Sequence, residues 1–266
     1  LDYPSGTISF EGADAIIAYI EAHDLQLDWI LETHVHADHL SAAPYIQQRL
    51  GGRIAIGNAI ATVQQTFADI FCAGEDFPRD GSQFDTLLAD GDSIEIGGIL
   101  GYAIHTPGHT PACMTYVLGD SVFVGDTLFM PDGGTARADF PGGDAATLYH
   151  SIQRILALPD QYRVFVCHDY LPNDRELEFE SSIAAQRENN IHVHTGIAKE
   201  SFVRMRQQRD ATLGMPNLIL PSLQVNMRAG HLPPAEQAGR FFLKLPLNVF
   251  SGPALTPLQS PTEGSL

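Results

Sequence analysis

The sequence predicts a layered α/β protein built around one catalytic core. Helix-period and strand-period apolar patterns alternate through the early chain and give way to paired strands from Ser93 onward. Of the 266 residues 44% are hydrophobic and 18% charged, enough to bury a sizeable core and incompatible with a disordered or fibrous chain. Histidines and aspartates also recur in loops just past strand ends, where a sheet presents functional side chains on a rigid support. Neither an internal repeat nor a clear linker divides the chain. One domain is therefore expected over residues 1–250, followed by a flexible tail over 251–266 that is rich in Pro, Ser and Gly.

The elements follow in order. Ile16, Ile17 and Ile20 share one face of a helix over 13–23, and the short apolar run 27–31 reads as a strand. A second helix over 41–50 leads to a strand over 53–56. Ile94 and Ile96 alternate with polar residues, Gly97-Gly98 turns the chain, and 100–104 pairs back. Strands over 114–118 and 121–124 are joined by Gly119-Asp120. Asp144 caps a helix carrying Leu148, Ile152, Ile155 and Leu156 on one face, and Pro159 stops it. A buried strand over 163–166 and helices over about 175–188 and 197–209 complete the reading.

Charge narrows the function classes. Fifteen Lys+Arg against 32 Asp+Glu give a formal net charge of −17, which repels phosphate backbones and anionic lipid heads. No apolar run approaches the roughly 18–20 residues of a transmembrane helix, and no basic-then-apolar signal segment opens the chain. Cys72, Cys113 and Cys167 are too few and scattered for a disulfide framework, so a reducing cytoplasm is expected. Cys113 and Cys167 read as small core hydrophobes beside buried strands, and Cys72 as a loop residue.

The strand at 27–31 runs into Thr33-His34-Val35-His36-Ala37-Asp38-His39. A lone histidine is more often a satisfied core residue than a ligand. Three imidazoles and a carboxylate in six positions are different, because burying them without a partner ion is costly. Nitrogen and oxygen donors of this kind suit Zn, Fe and Mn alike. Pro107-Gly108-His109-Thr110, Gly125-Asp126-Thr127-Leu128-Phe129 and Cys167-His168-Asp169-Tyr170 each follow a further strand.

This ordered set resembles the metallo-β-lactamase superfamily over about residues 14–170. The resemblance implies an αββα sandwich, two mixed sheets flanked by helices, with metal at the edge between the sheets. It fixes the fold better than the reaction. Within the superfamily, the phrases 33–39, 108–113 and 125–129 resemble the persulfide dioxygenases (sulfur dioxygenases). Arg137-Ala138-Asp139-Phe140 and Asn226-Met227-Arg228-Ala229-Gly230 lie outside the metal motifs and discriminate best. By that resemblance His34, His109 and Asp126 hold one Fe(II) per chain, while His36, Asp38, His39 and His168 stand behind them or hold a second metal. The implied reaction takes a glutathione-type persulfide, O2 and water to sulfite and thiol, as in sulfide detoxification. Two imidazoles and one carboxylate on one face of iron leave positions open for both reactants. The alternative is a thioester hydrolase of glyoxalase II type with two metal ions, zinc included, since every ligand such a site needs is present. A non-catalytic sulfur-binding scaffold is disfavoured by the complete ligand set.

Arg137 and Arg228 are two of few cations and offer forks for a substrate carboxylate. Arg137 has a structural alternative in a pair with Asp139. Tyr170 either hydrogen-bonds the reacting sulfur or oxygen or packs at a strand end. Glutathione is the favoured carrier, with coenzyme A or a small thiol open. No rhodanese-like loop is visible, so a rhodanese-type sulfurtransferase partner would be a separate chain or a domain outside this sequence. A homodimer is the common default among soluble oligomers and is expected on that ground alone. The family begins with two or three strands before its first helix, whereas about thirteen residues precede it here. The resemblance thus implies a segment ahead of Leu1, or a partner that supplies one.

Overall fold

The computed structural model describes residues 1–250 and Leu255. Apart from Leu255, the tail expected over 251–266 lies outside the described residues. Helix α1 (Glu11–Ala22) leads to β1 (Trp29–Leu31), α2 (Ala43–Leu50), β2 (Arg53–Gly57), α3 (Ile60–Ile70) and β3 (Thr86–Leu88). Strands β4 (Ser93–Ile96), β5 (Ile99–His105), β6 (Met114–Leu118) and β7 (Ser121–Phe123) follow. Then come α4 (Ala145–Leu156), β8 (Arg163–Phe165), β9 (Glu180–Ser182), α5 (Ile183–Asn189), α6 (Lys199–Asp210) and α7 (Ile219–Asn226). Among the described residues no helix is long and apolar enough to cross a membrane.

The strands form two sheets. The smaller, β1-β2-β3, is wholly parallel, with Ile30 opposite Ile54 and Ile56 opposite Leu87. The larger runs β4-β5-β6-β7-β8-β9 and is antiparallel except where β7 meets β8. That parallel step needs a long crossover, which α4 supplies.

The period-2 alternation of strand side chains sorts the core into three layers. Ile54 and Ile56 of β2 pack with Val63 and Phe67 of α3 and Leu223 of α7. Ala55, between them, faces the other way and joins Ile94, Ala103, Met114 and Tyr116 of the second sheet. The next residue on each of two of those strands, Ile104 and Val117, points outward to Leu148, Ile152 and Ile155 of α4 and Phe202 of α6. Helices, sheet, sheet, helices is the αββα order that the resemblance implies.

Several local expectations are revised. In α1 Ile17 is buried at 2% exposure, but Ile16 is 53% exposed, so the buried face is narrower than its three isoleucines imply. The helix expected over 175–188 begins only at Ile183, because Glu180–Ser182 pairs with β8 as an edge strand. Arg163 of β8 fixes that register with a two-point bond to Glu180, and Ser182 accepts from Ala185 N to cap α5. Helices α3 and α7 and strand β3 were not expected, although Ile60, Val63 and Phe67 carry helical spacing.

Helix α4 starts where its cap dictates. Asp144 accepts from Thr147 N at 2.7 Å and from its hydroxyl at 2.6 Å. Asp144→Ala is expected to destabilise the protein by about 1 kcal/mol. Urea unfolding should show a lower midpoint with an unchanged slope; an unmoved midpoint would mean solvent replaces the cap without loss.

Candidate metal centre

Each predicted ligand loop leaves a strand at the same edge of the sandwich. Beyond β1, Glu32 N still donates to Ala55 O, and Thr33 O accepts from Met114 N, so the strand carries the loop across both sheets before it turns. His34 and His36 are buried there. His109 follows β5 and is presented by Gly108 at φ 136°, where a Cβ would lie 2.3 Å from Leu148 Cα. Only glycine allows α4 to press this close behind the histidine. Asp126 follows β7 and His168 follows β8.

The structure brings His34, His109 and Asp126 together, all buried, with donor atoms within 4.8 Å of one another. His34 Nε2 and His109 Nε2 lie 3.7 and 3.6 Å from Asp126 Oδ2. His168 Nε2 lies 3.5 Å from the other oxygen, Oδ1, and 3.4 Å from Asp38 Oδ2. His36, Asp38 and His39 form a second group with the same closeness of donors, more exposed than the first.

Hydrogen bonding fixes what these groups offer. His109 Nδ1 lies 2.8 Å from Arg137 O, and a carbonyl only accepts, so Nδ1 carries the proton. Nε2, 3.6 Å from Asp126 Oδ2, is then the nitrogen left to face a metal ion. Burial, with the neighbouring histidines His36 and His109 adding to it, holds His34 well below the usual imidazole range, so it is neutral and ready to ligate. Glu32 sits 3.3 Å from His36 Nε2 and accepts from the Ser41 hydroxyl. Burial disfavours the charged His36 ring, but the hydrogen bond and charge of Glu32, with Asp126 and Asp38 adding to them, outweigh it and raise that ring's basicity. The remaining His36 nitrogen, Nδ1, and Asp126 Oδ1 are buried without a hydrogen-bond partner. Buried nitrogen and oxygen atoms left without a partner, one in each donor group, are what a bound metal ion satisfies, so the residues present fit a metal.

A cavity of about 480 Å³ opens onto this centre, lined by Asp38, His109, Asp126 and His168 together with Phe129, Phe140 and Tyr170. Arg137 lines it as well, but its guanidinium grips Asp139 at 2.6 and 2.8 Å and donates to Gly214 O. The structural pair weighed for this residue is thus formed. Tyr170 is exposed, stacks on His168 and meets Phe129 edge-on. Arg228 lies outside the cavity lining, contrary to the substrate-clamping position read from the sequence. Its guanidinium donates to Gln224 O and lies 4.4 Å from the Phe77 ring centroid. Sequence reasoning missed Arg209, an exposed cation on the cavity wall whose guanidinium has no hydrogen-bonding partner among the described residues. It also missed Glu32, although a carboxylate two residues before His34 was a visible signal.

The cysteines divide. Cys113 is buried and accepts from Thr110 N, and burial pushes its thiol up to about 12. Cys167 is exposed rather than a core residue; desolvation near the cluster, then Asp126 and Asp38, push its thiol up to about 12. Neither thiol is a thiolate at neutral pH. Cys72 is exposed, as its loop implies.

A buried two-imidazole, one-carboxylate set on an αββα sandwich defines a metal-dependent enzyme. The chain belongs to the metallo-beta-lactamase superfamily, whose family model matches residues 5–168. It is 53% identical over 260 residues to a probable metallo-hydrolase of Burkholderia pseudomallei, covering 93% of this chain and 88% of that one. Glyoxylase B2 of Dictyostelium discoideum is 51% identical, with 92% and 84% covered. The mitochondrial persulfide dioxygenase ETHE1 of Homo sapiens is 30% identical, with 77% and 70% covered. Among solved structures, ETHE1 from Myxococcus xanthus superposes with a TM-score of 0.68 at 29% identity, covering 84% of this chain and 86% of that one. These likenesses to ETHE1 support the persulfide dioxygenase branch.

Proposed function

We propose that this protein is a non-haem Fe(II) persulfide dioxygenase that converts a glutathione-type persulfide, O2 and water into sulfite, the free thiol and two protons. The observation that carries this reading is the buried triad His34, His109 and Asp126. Two imidazoles and one carboxylate are the donor set of non-haem iron oxygenases. The likeness to ETHE1 and to persulfide dioxygenases over most of the chain supports the same conclusion. Iron bound there would supply redox chemistry towards O2 that zinc lacks.

The chain's own residues prepare the reaction. Arg137 O holds the His109 tautomer, so its Nε2 lone pair faces inward. Phe129 and Phe140 keep part of the cavity wall dry. Arg209 places a positive charge on the wall, suited to a carboxylate of the thiol carrier. A rhodanese-type sulfurtransferase is a suitable source of the persulfide.

A second reading, a two-metal thioester hydrolase, is favoured by the second ligand group and by the hydrolase and glyoxylase names of the relatives at 53% and 51% identity. One experiment separates the two. Anaerobically purified protein is assayed for metal content, then for O2 uptake with glutathione persulfide and for hydrolysis of a glutathione thioester. About one iron per chain with O2 consumed is the expected result. Two zinc ions per chain, thioester cleavage and no O2 uptake would overturn the dioxygenase.

A further inference from the structure

The phrase 226–230, distinctive in the sequence, ends α7 and lies far along the chain from the metal loop, yet it touches that loop directly. Asn226 is buried, and both polar atoms of its carboxamide are engaged. Oδ1 accepts from Ser41 N at 2.8 Å, while Nδ2 donates to His36 O at 2.9 Å and to His39 O at 2.7 Å. Two donors and one acceptor match two carbonyls and one amide, a pattern that neither a carboxylate nor an apolar side chain reproduces.

The surroundings hold the amide at that point. After Met227, Ala229 turns left-handed at φ 55°, and Gly230 at φ 86° bonds its N–H back to Val225 O. A Cβ on Gly230 would lie 2.6 Å from Pro44 Cδ and 3.0 Å from Ser41 O, so the end of α7 sits against the exit of the metal loop. Gln64 ties Met227 O to α3 with a 2.9 Å bond. From the other side, Ser41 bonds Glu32, and Glu32 faces the His36 ring. The backbone of His36 is thus held by Asn226 while its side chain is held by Glu32.

We propose that Asn226 is a positioning residue for the metal centre: it locks loop 34–41 into the conformation in which its histidines and Asp38 face the metal. The role holds whether one ion or two bind, so it stands or falls separately from the dioxygenase reading.

The test uses Asn226→Asp, which keeps the size but sets a carboxylate against two carbonyls. Apo-protein is titrated with Co(II), reading affinity and the visible d–d spectrum, and its Tm is measured separately. Leu223→Ala, one turn earlier on α7 and facing the core, is the control for lost stability alone. The expected result is Co(II) affinity lower by about 10–100-fold with a changed spectrum in Asn226→Asp. Leu223→Ala should lower Tm and leave the spectrum as in the wild type. A wild-type spectrum and affinity in Asn226→Asp would overturn the proposal and leave Asn226 a purely structural residue. Should Asn226→Asp not fold, Asn226→Ser, which keeps a donor and leaves room for water, is read by the same two criteria.

Discussion

Replacing His109 with alanine is expected to remove bound metal and O2 uptake together. His109 is 4% exposed and supplies one of the triad's two imidazoles, so the variant leaves one histidine and one carboxylate, too few to retain a metal ion through purification. Loss of groups that merely orient a ligand costs about 10–100-fold in affinity or activity, and loss of a ligand should exceed that. Metal content is the primary readout because it does not depend on the substrate. His105→Ala is the control, since His105 ends the preceding strand and bonds Pro111 O without joining the ligand group. Full metal content in His109→Ala would remove His109 from the centre.

Asp210→Ala should produce the largest loss of stability. Arg206 is 1% exposed and bonds Asp210 Oδ1 at 2.9 Å through Nε, while its NH1 donates to Thr135 O. Asp210 Oδ2 accepts from Ala138 N, next to the Arg137 carbonyl that orients His109. Removing Asp210 leaves a buried guanidinium without its counter-charge, which costs about 3–5 kcal/mol. For a chain of this size that lowers Tm by roughly 10 °C. The double variant Arg206→Met with Asp210→Leu should recover much of the loss, because no charge is then stranded. A Tm within about 1 °C of the wild type in Asp210→Ala would show that water reaches Arg206 and that the pair is not buried in solution.

Much of the site was legible because metal ligation is written in residue type. His34, His36, Asp38, His39, His109, Asp126 and His168 lie at strand ends in the order read, since a strand of three to seven residues leaves little freedom in where its loop emerges. The arginines were less legible. Arg137 and Arg228 differ little on paper, yet one lines the cavity bound to Asp139 and the other lies over Phe77. A long flexible side chain takes its role from whichever partner folding brings within reach. The helix expected over 175–188 failed for a related reason, since pairing with β8 overrode the local helical pattern.

By itself the sequence determined the layered α/β class, the donor residues available to a metal and the acidic charge, because periodicity and donor chemistry are local properties of the chain. The αββα sandwich was implied by the family resemblance. Only the tertiary structure decided that Asp126 stands between His34, His109 and His168, that Glu32 takes one nitrogen of His36, and that Asn226 closes on the metal loop. Those contacts join residues up to 190 positions apart. Their geometry depends on how two sheets and their helices pack, which no local pattern encodes.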